Sequence, residues 1–135
     1  MSKWCADYLL DLMLTEIKGN ANRLSVCSAQ PTTYDQAVNV AASSGYMLAI
    51  SSVVDITSLA TVGDGTSGRK LTIPENFGSA SALYISDGGS ATHIALTDNG
   101  SSGTLMYITT CTPQSLTATG NVTVPSWGIT LQDPT

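Results

Sequence analysis

Charge is scarce in this chain. Only 11% of its 135 residues are Asp, Glu, Lys or Arg, against about 25% in an ordinary soluble domain. An amphipathic helical bundle needs charged outer faces, and a chain kept disordered by charge needs far more of it, so neither class fits. Positive charge is scarcer still. Five Lys and Arg against ten Asp and Glu give a net charge of −5 and a pI near 4.3, too little basic surface to neutralise phosphates, so no nucleic-acid partner is expected. Long apolar runs are missing as well: none reaches the roughly 20 residues of a membrane span, so no membrane partner is expected. The apolar opening is interrupted by Asp7, Asp11 and Glu16, unlike the continuous core of a signal peptide. Three widely spaced cysteines, Cys5, Cys27 and Cys111, give no disulfide framework and suit free thiols in a reducing cytoplasm.

Chemistry-bearing residues are equally few. His93 is the only histidine, so any histidine-based activation must pass through it. Its strand sets Ile94 and Leu96 on one face and His93, Ala95 and Thr97 on the other, which predicts a solvated or interface histidine. The three cysteines and His93 lack the short ligand spacing of structural zinc. Asp64, Asp87 and Asp98 lie in glycine-rich turns without the register of a calcium loop, and read as turn residues that bond their own backbone. Gly63-Asp-Gly-Thr-Ser-Gly68-Arg69-Lys70 superficially resembles a phosphate loop. Arg69 stands where the lysine belongs and a strand follows in place of a helix, so a hairpin turn is the better reading. No residue is assigned to catalysis, to a cofactor or to a metal.

What the chain does have is Ser and Thr, about a quarter of all residues, and 42% apolar residues, enough for an ordinary core in one domain of 1–135. The predicted divisions are an N-terminal helix (1–19), a connecting strand and short helix (20–45) and a β-sandwich body (46–135). The helix is expected over residues 3–18, with Ser2 as N-cap, Lys18 in the last turn and Gly19 just past the end. Trp4, Tyr8, Leu9, Leu12 and Ile17 gather toward one side, and Leu10, Met13 and Leu14 widen that stripe beyond what a small sheet covers. The excess predicts a partner surface. A second helix over 34–41 follows from the capping-box spacing Thr33-Tyr-Asp-Gln36.

Strands are expected at 46–51, 69–73, 82–86, 92–97, 104–110, 121–124 and 127–131, separated by Gly- or Pro-bearing turns. The fold class is therefore mainly β, an antiparallel β-sandwich or jelly-roll-like domain with an N-terminal α-helix.

The opening WCADYLLDLMLTEIKGNANRLSVCSAQPTTYDQAV, the central GDGTSGRKLTIP, the stretch THIALTDNGSSGTLMYITTCTPQSLTATGNVTVPSWGITLQDPT and its terminal Asp133-Pro134-Thr135 are similar to a group of small tailed-phage and prophage virion proteins. The similarity spans nearly the whole chain. It implies a non-enzymatic capsid decoration (cement) protein on the capsid exterior, assembled in the bacterial host cytoplasm. The implied partner is the major capsid protein, and a homo-oligomer, dimer or trimer, is expected on a symmetry axis. The partner contacts expected on residue type are Trp4, Tyr8 and Leu12 on the helix and the adjacent cations Arg69 and Lys70, which suit a partner's carboxylates. The alternatives are a tail, connector or fibre-base virion protein, or a carbohydrate-binding module using Tyr84, Tyr107 or Trp127.

Overall fold

The computed structural model describes residues 5–64 and 68–132. Its first element is α1 (Asp7–Asn20), displaced from the predicted span. Cys5 and Ala6 are not helical, and Ala6, in extended backbone, occupies the N-cap without a side-chain bond. The expected cap Ser2 and the expected contact Trp4 lie outside the described residues. At the other end Gly19 sits inside the last turn. The helix continues because Asn20 Nδ2 donates to the Glu16 carbonyl (3.0 Å) and to Glu16 Oε1 (2.8 Å), while the Ala21 N–H reaches the Ile17 carbonyl at 2.8 Å, which meets the terminal carbonyls without a glycine stop.

The strands are β1 (Arg23–Cys27), β2 (Met47–Ile50), β3 (Thr61–Asp64), β4 (Arg69–Ile73), β5 (Leu83–Tyr84), β6 (Gly89–Asp98), β7 (Thr104–Leu116), β8 (Asn121–Val122) and β9 (Trp127–Leu131). They form a four-stranded sheet in the order β2-β1-β6-β7, a three-stranded sheet β3-β4-β9 and a pair β5-β8. Every ladder is antiparallel. An isolated bridge between Ala49 and Ile85 joins β2 to the end of β5. β4 and β9 fall on their expected spans, β6 and β7 outgrow theirs, and β5 and β8 shrink to two residues each. β3 was not expected as a strand. Its Thr-Val-Gly-Asp sequence carries one apolar residue, and it survives as an edge strand on β4 alone. The β3–β4 pair sets Asp64 opposite Arg69, the hairpin reading of the glycine-rich motif.

One apolar cluster takes Leu24 and Val26 from β1, Leu48 from β2, Leu71 and Ile73 from β4 and Ile129 from β9. Leu14 of α1 and Phe77 join it. Fully burying side chains of this size stabilises by about 1.5–3 kcal/mol each. A second cluster on the opposite face of β1 and β6 holds Cys27, Ala37 and Ala95. Ala37 belongs to α2 (Tyr34–Val38), whose N-cap Thr33 Oγ1 accepts from the Gln36 N–H. Gln36 Oε1 turns to Thr32, accepting from its N–H at 2.8 Å, so the box closes one residue early. α2 stops at Val38, short of the predicted 41. Because it lies on the β6 face expected to be the wetter one, Ala95 and Thr97 are fully buried.

Candidate functional site

α1 turns a different side inward from the one its apolar stripe suggests. Leu10 and Leu14 are buried and Ile17 packs against the main cluster, an i, i+4, i+7 row. Tyr8, Leu9, Leu12 and Met13 remain 65, 45, 59 and 60% exposed. The predicted side thus loses Ile17 to the core and keeps Tyr8, Leu9 and Leu12 outside, where Met13 joins them. Asp11 flanks that inward row, and its carboxylate finds a cation on the sheet side. Hydrophobicity counted along the helix takes no account of an inward carboxylate with a partner.

That cation is Arg69. At the start of β4 its Nε donates to Asp11 Oδ1 at 2.6 Å and its Nη2 to Asp11 Oδ2 at 3.1 Å, while Nη1 donates to Asp64 Oδ1. The side chain is 17% exposed. Asp11 first, with Asp64 behind it, raises the guanidinium above its usual range. Arg69, expected to meet a partner's carboxylates, thus has two from its own chain, and it ties α1 to the β3–β4 hairpin. Lys70 does not share this role, because successive strand residues point to opposite faces. It is exposed, and its stem crosses the backbone of Gly128, where an added Cβ would stand 2.1 Å from Lys70 Cε. The expected Arg69-Lys70 corner is therefore two separate features.

Beside the exposed helix face, an open cleft of about 650 Å³ runs between α1, β7 and β9, lined by Leu12, Met13, Ile17, Met106, Tyr107 and Leu131 among others. Tyr107 stacks on Trp127 with ring centroids 6.0 Å apart and planes at 27°, so each ring spends one face on the other. Tyr84, on β5, is 55% exposed.

The remaining polar groups are arranged for structure. His93 Nδ1 lies 2.8 Å from Thr92 Oγ1, and that hydroxyl donates to the Ser28 carbonyl at 2.9 Å. The Cys27 thiol is pushed up to about 12 by burial and then by Cys111, and Cys111 is raised by burial, so both hold their protons against nucleophilic use. Asp87 and Asp98 accept from the N–H groups of Gly88 and Gly100, each at 2.9 Å, and so cap their own turns. Among the described residues no group of three or more His, Cys, Asp or Glu is placed to hold a metal ion, and no helix is long and apolar enough to cross a membrane. The chain matches no family model, no curated protein and no solved structure.

Proposed function

We propose that the chain is a non-enzymatic virion structural protein that binds and stabilises an assembled phage capsid as an exterior decoration or cement protein. The observation that carries this reading is the outer face of α1: four large apolar side chains in two adjacent i, i+4 rows that stay largely exposed among the described residues. Exposed apolar side chains grouped in this way mark interaction surfaces more often than singly scattered ones do. The sequence resemblance supplies the partner, the major capsid protein. The two larger sheets, which share one apolar cluster, support their reading as layers of a sandwich. Such a protein acts by contact. Binding the assembled lattice and not the free subunit stabilises the shell by RT ln(1 + [L]/Kd) per site, and a dimer or trimer on a symmetry axis would repeat one interface around it.

The test is the copy number in purified virions, by quantitative mass spectrometry against the major capsid protein. Hundreds of copies in a simple ratio to the capsid subunit are expected. About three to twelve copies, the number that a closed ring of subunits holds, would move the protein to the tail or connector. Absence from the particle would overturn the virion reading.

A further inference from the structure

Residues 99–103 join β6 to β7, and they contain the chain's one Asn-Gly pair, Asn99-Gly100. Asparagine before glycine is the pair most open to ring closure, because a glycine nitrogen can approach the preceding side-chain amide carbon with no side chain of its own in the way. At Gly100 an added Cβ would meet nothing nearer than the Asp98 carboxylate, at 3.4 Å. Both residues are exposed, so water reaches them.

Each group that ring closure needs is nevertheless held. The Tyr34 hydroxyl donates to Asn99 Oδ1 at 2.7 Å and fixes the side-chain amide. The Gly100 N–H donates to Asp98 Oδ1 at 2.9 Å, and the Asn99 N–H to Asn22 Oδ1 at 2.8 Å. Asn22 Nδ2 in turn reaches Asp98 Oδ1 at 3.2 Å. The attacking group is the deprotonated Gly100 nitrogen, and a carboxylate that accepts its N–H favours the protonated form. Side chain and peptide are thus pinned at both reacting ends.

Tyr34 also braces the far end of the turn. Its ring lies so close to Gly103 that an added Cβ there would stand 2.5 Å from it. Tyr34 opens α2, a helix of five residues with one buried side chain, Ala37. An element with so little buried apolar surface opens locally at lower cost than the whole fold. When α2 lifts, Asn99 loses the Tyr34 bond while β6 and β7 stay paired.

We infer that Asn99 is a modification site, a deamidation that α2 holds in check through Tyr34. In the open state the Gly100 nitrogen gives its proton to hydroxide or a buffer base and attacks Asn99 Cγ. The N–Cγ bond forms, the Cγ–Nδ2 bond breaks, and Nδ2 takes a proton back and leaves as ammonia. One water then opens the cyclic imide at Cγ to give aspartate, or at the backbone carbonyl carbon to give isoaspartate. Either product adds a negative charge beside Asp98. Isoaspartate also lengthens the backbone by one methylene, which displaces the Gly100 N–H from Asp98. The chain and water suffice for this chemistry, so it is independent of any role in a virion.

The test is incubation of the full-length protein in mildly alkaline buffer, with peptide mass spectrometry reading the gain of one mass unit and chromatography separating the isoaspartate form. Wild type is expected to deamidate at Asn99 before any other asparagine, yet about tenfold or more slower in native buffer than in urea. Tyr34→Phe removes one hydroxyl and should speed the native reaction about threefold to tenfold, the worth of one hydrogen bond, with no change in urea. Ala37→Gly keeps that hydroxyl but weakens α2, and should speed the native reaction about fourfold. Unaltered amide protection of the β6–β7 hairpin in each variant shows that the acceleration is local. A wild-type rate in either variant, or equal rates for wild type in native buffer and urea, would overturn the gate. Another asparagine reacting first would overturn the site.

Discussion

Asp11 and Arg69 are 58 positions apart in the chain and meet through two parallel hydrogen bonds, Nε to Oδ1 and Nη2 to Oδ2. This fork-to-fork pair fixes the roll of α1 about its own axis, because only one orientation brings the Asp11 carboxylate to β4. The same roll sends Leu10 and Leu14 inward and Tyr8, Leu9, Leu12 and Met13 outward.

Loss of that pair should loosen α1 and spare the sheets. Arg69→Met is expected to speed amide hydrogen exchange across α1 and leave the β6–β7 hairpin protected, since the hairpin shares no contact with the ion pair. Lys70→Glu should leave α1 exchange unaltered and lower capsid occupancy only if Lys70 itself meets the shell. The Arg69→Glu change is a poor surface test, because it places like charge against Asp11 and Asp64.

The outer and inner faces of α1 should separate binding from folding. Tyr8→Ser and Leu12→Ser alter exposed side chains and should change unfolding free energy by no more than about 0.5 kcal/mol, yet reduce capsid occupancy. Leu14→Ala removes a fully buried side chain and should cost about 2–5 kcal/mol. Chemical denaturation of the three variants beside quantification of particle-bound copies gives the comparison. Wild-type occupancy in the Tyr8/Leu12 double variant would remove the helix face from the proposed contact.

Stability should fall at alkaline pH through Cys27. Its folded-state value of about 12 lies above the ordinary thiol value of 9.0, so from pH 9 upward the unfolded chain gives up a proton that the folded chain keeps. The unfolded state then binds fewer protons and stability declines, by up to about 1.4 kcal/mol per pH unit until the folded thiol titrates. Below pH 9 the group contributes no slope. Cys27→Ala should flatten the curve between pH 9 and 12, measured as the difference in urea midpoint from wild type.

Thr97 should tolerate loss of its hydroxyl. Thr97 is fully buried, and its Oγ1 has no partner among the described residues, so Thr97→Val exchanges an unsatisfied polar atom for a methyl group of similar shape. A gain of about 1 kcal/mol is expected from the relieved desolvation penalty. A loss of stability on thermal unfolding would show that the hydroxyl is bonded in solution.

Local rules read much of this fold correctly. The spans of β4 and β9 follow from β-prone runs bounded by Gly68, Pro74 and Pro125. The Thr33 cap of α2 was legible from its spacing, and so was the hairpin before Arg69. Capping, turn formation and side-chain alternation act within a few residues, so the chain displays them in order. On the candidate site, the same reading detected that α1 carries more apolar surface than one sheet needs and selected Tyr8 and Leu12, which are exposed.

Interactions between distant positions were decided only in three dimensions. β1 lies between β2 and β6 in its sheet, paired with a strand some 70 residues later, and nothing in Arg-Leu-Ser-Val-Cys specifies that neighbour. The burial of Ala95 and Thr97 depends on α2 lying across them. The partner of Arg69 depends on α1 reaching β4, and Asn76 meets Val124, 48 positions further on, only in the folded chain. The sequence by itself determined a weakly charged, antiparallel β protein with one over-apolar helix, because composition and short-range periodicity carry that information. Tertiary structure decided which side of the helix is free and where the core opens, because both depend on contacts between residues far apart in the chain.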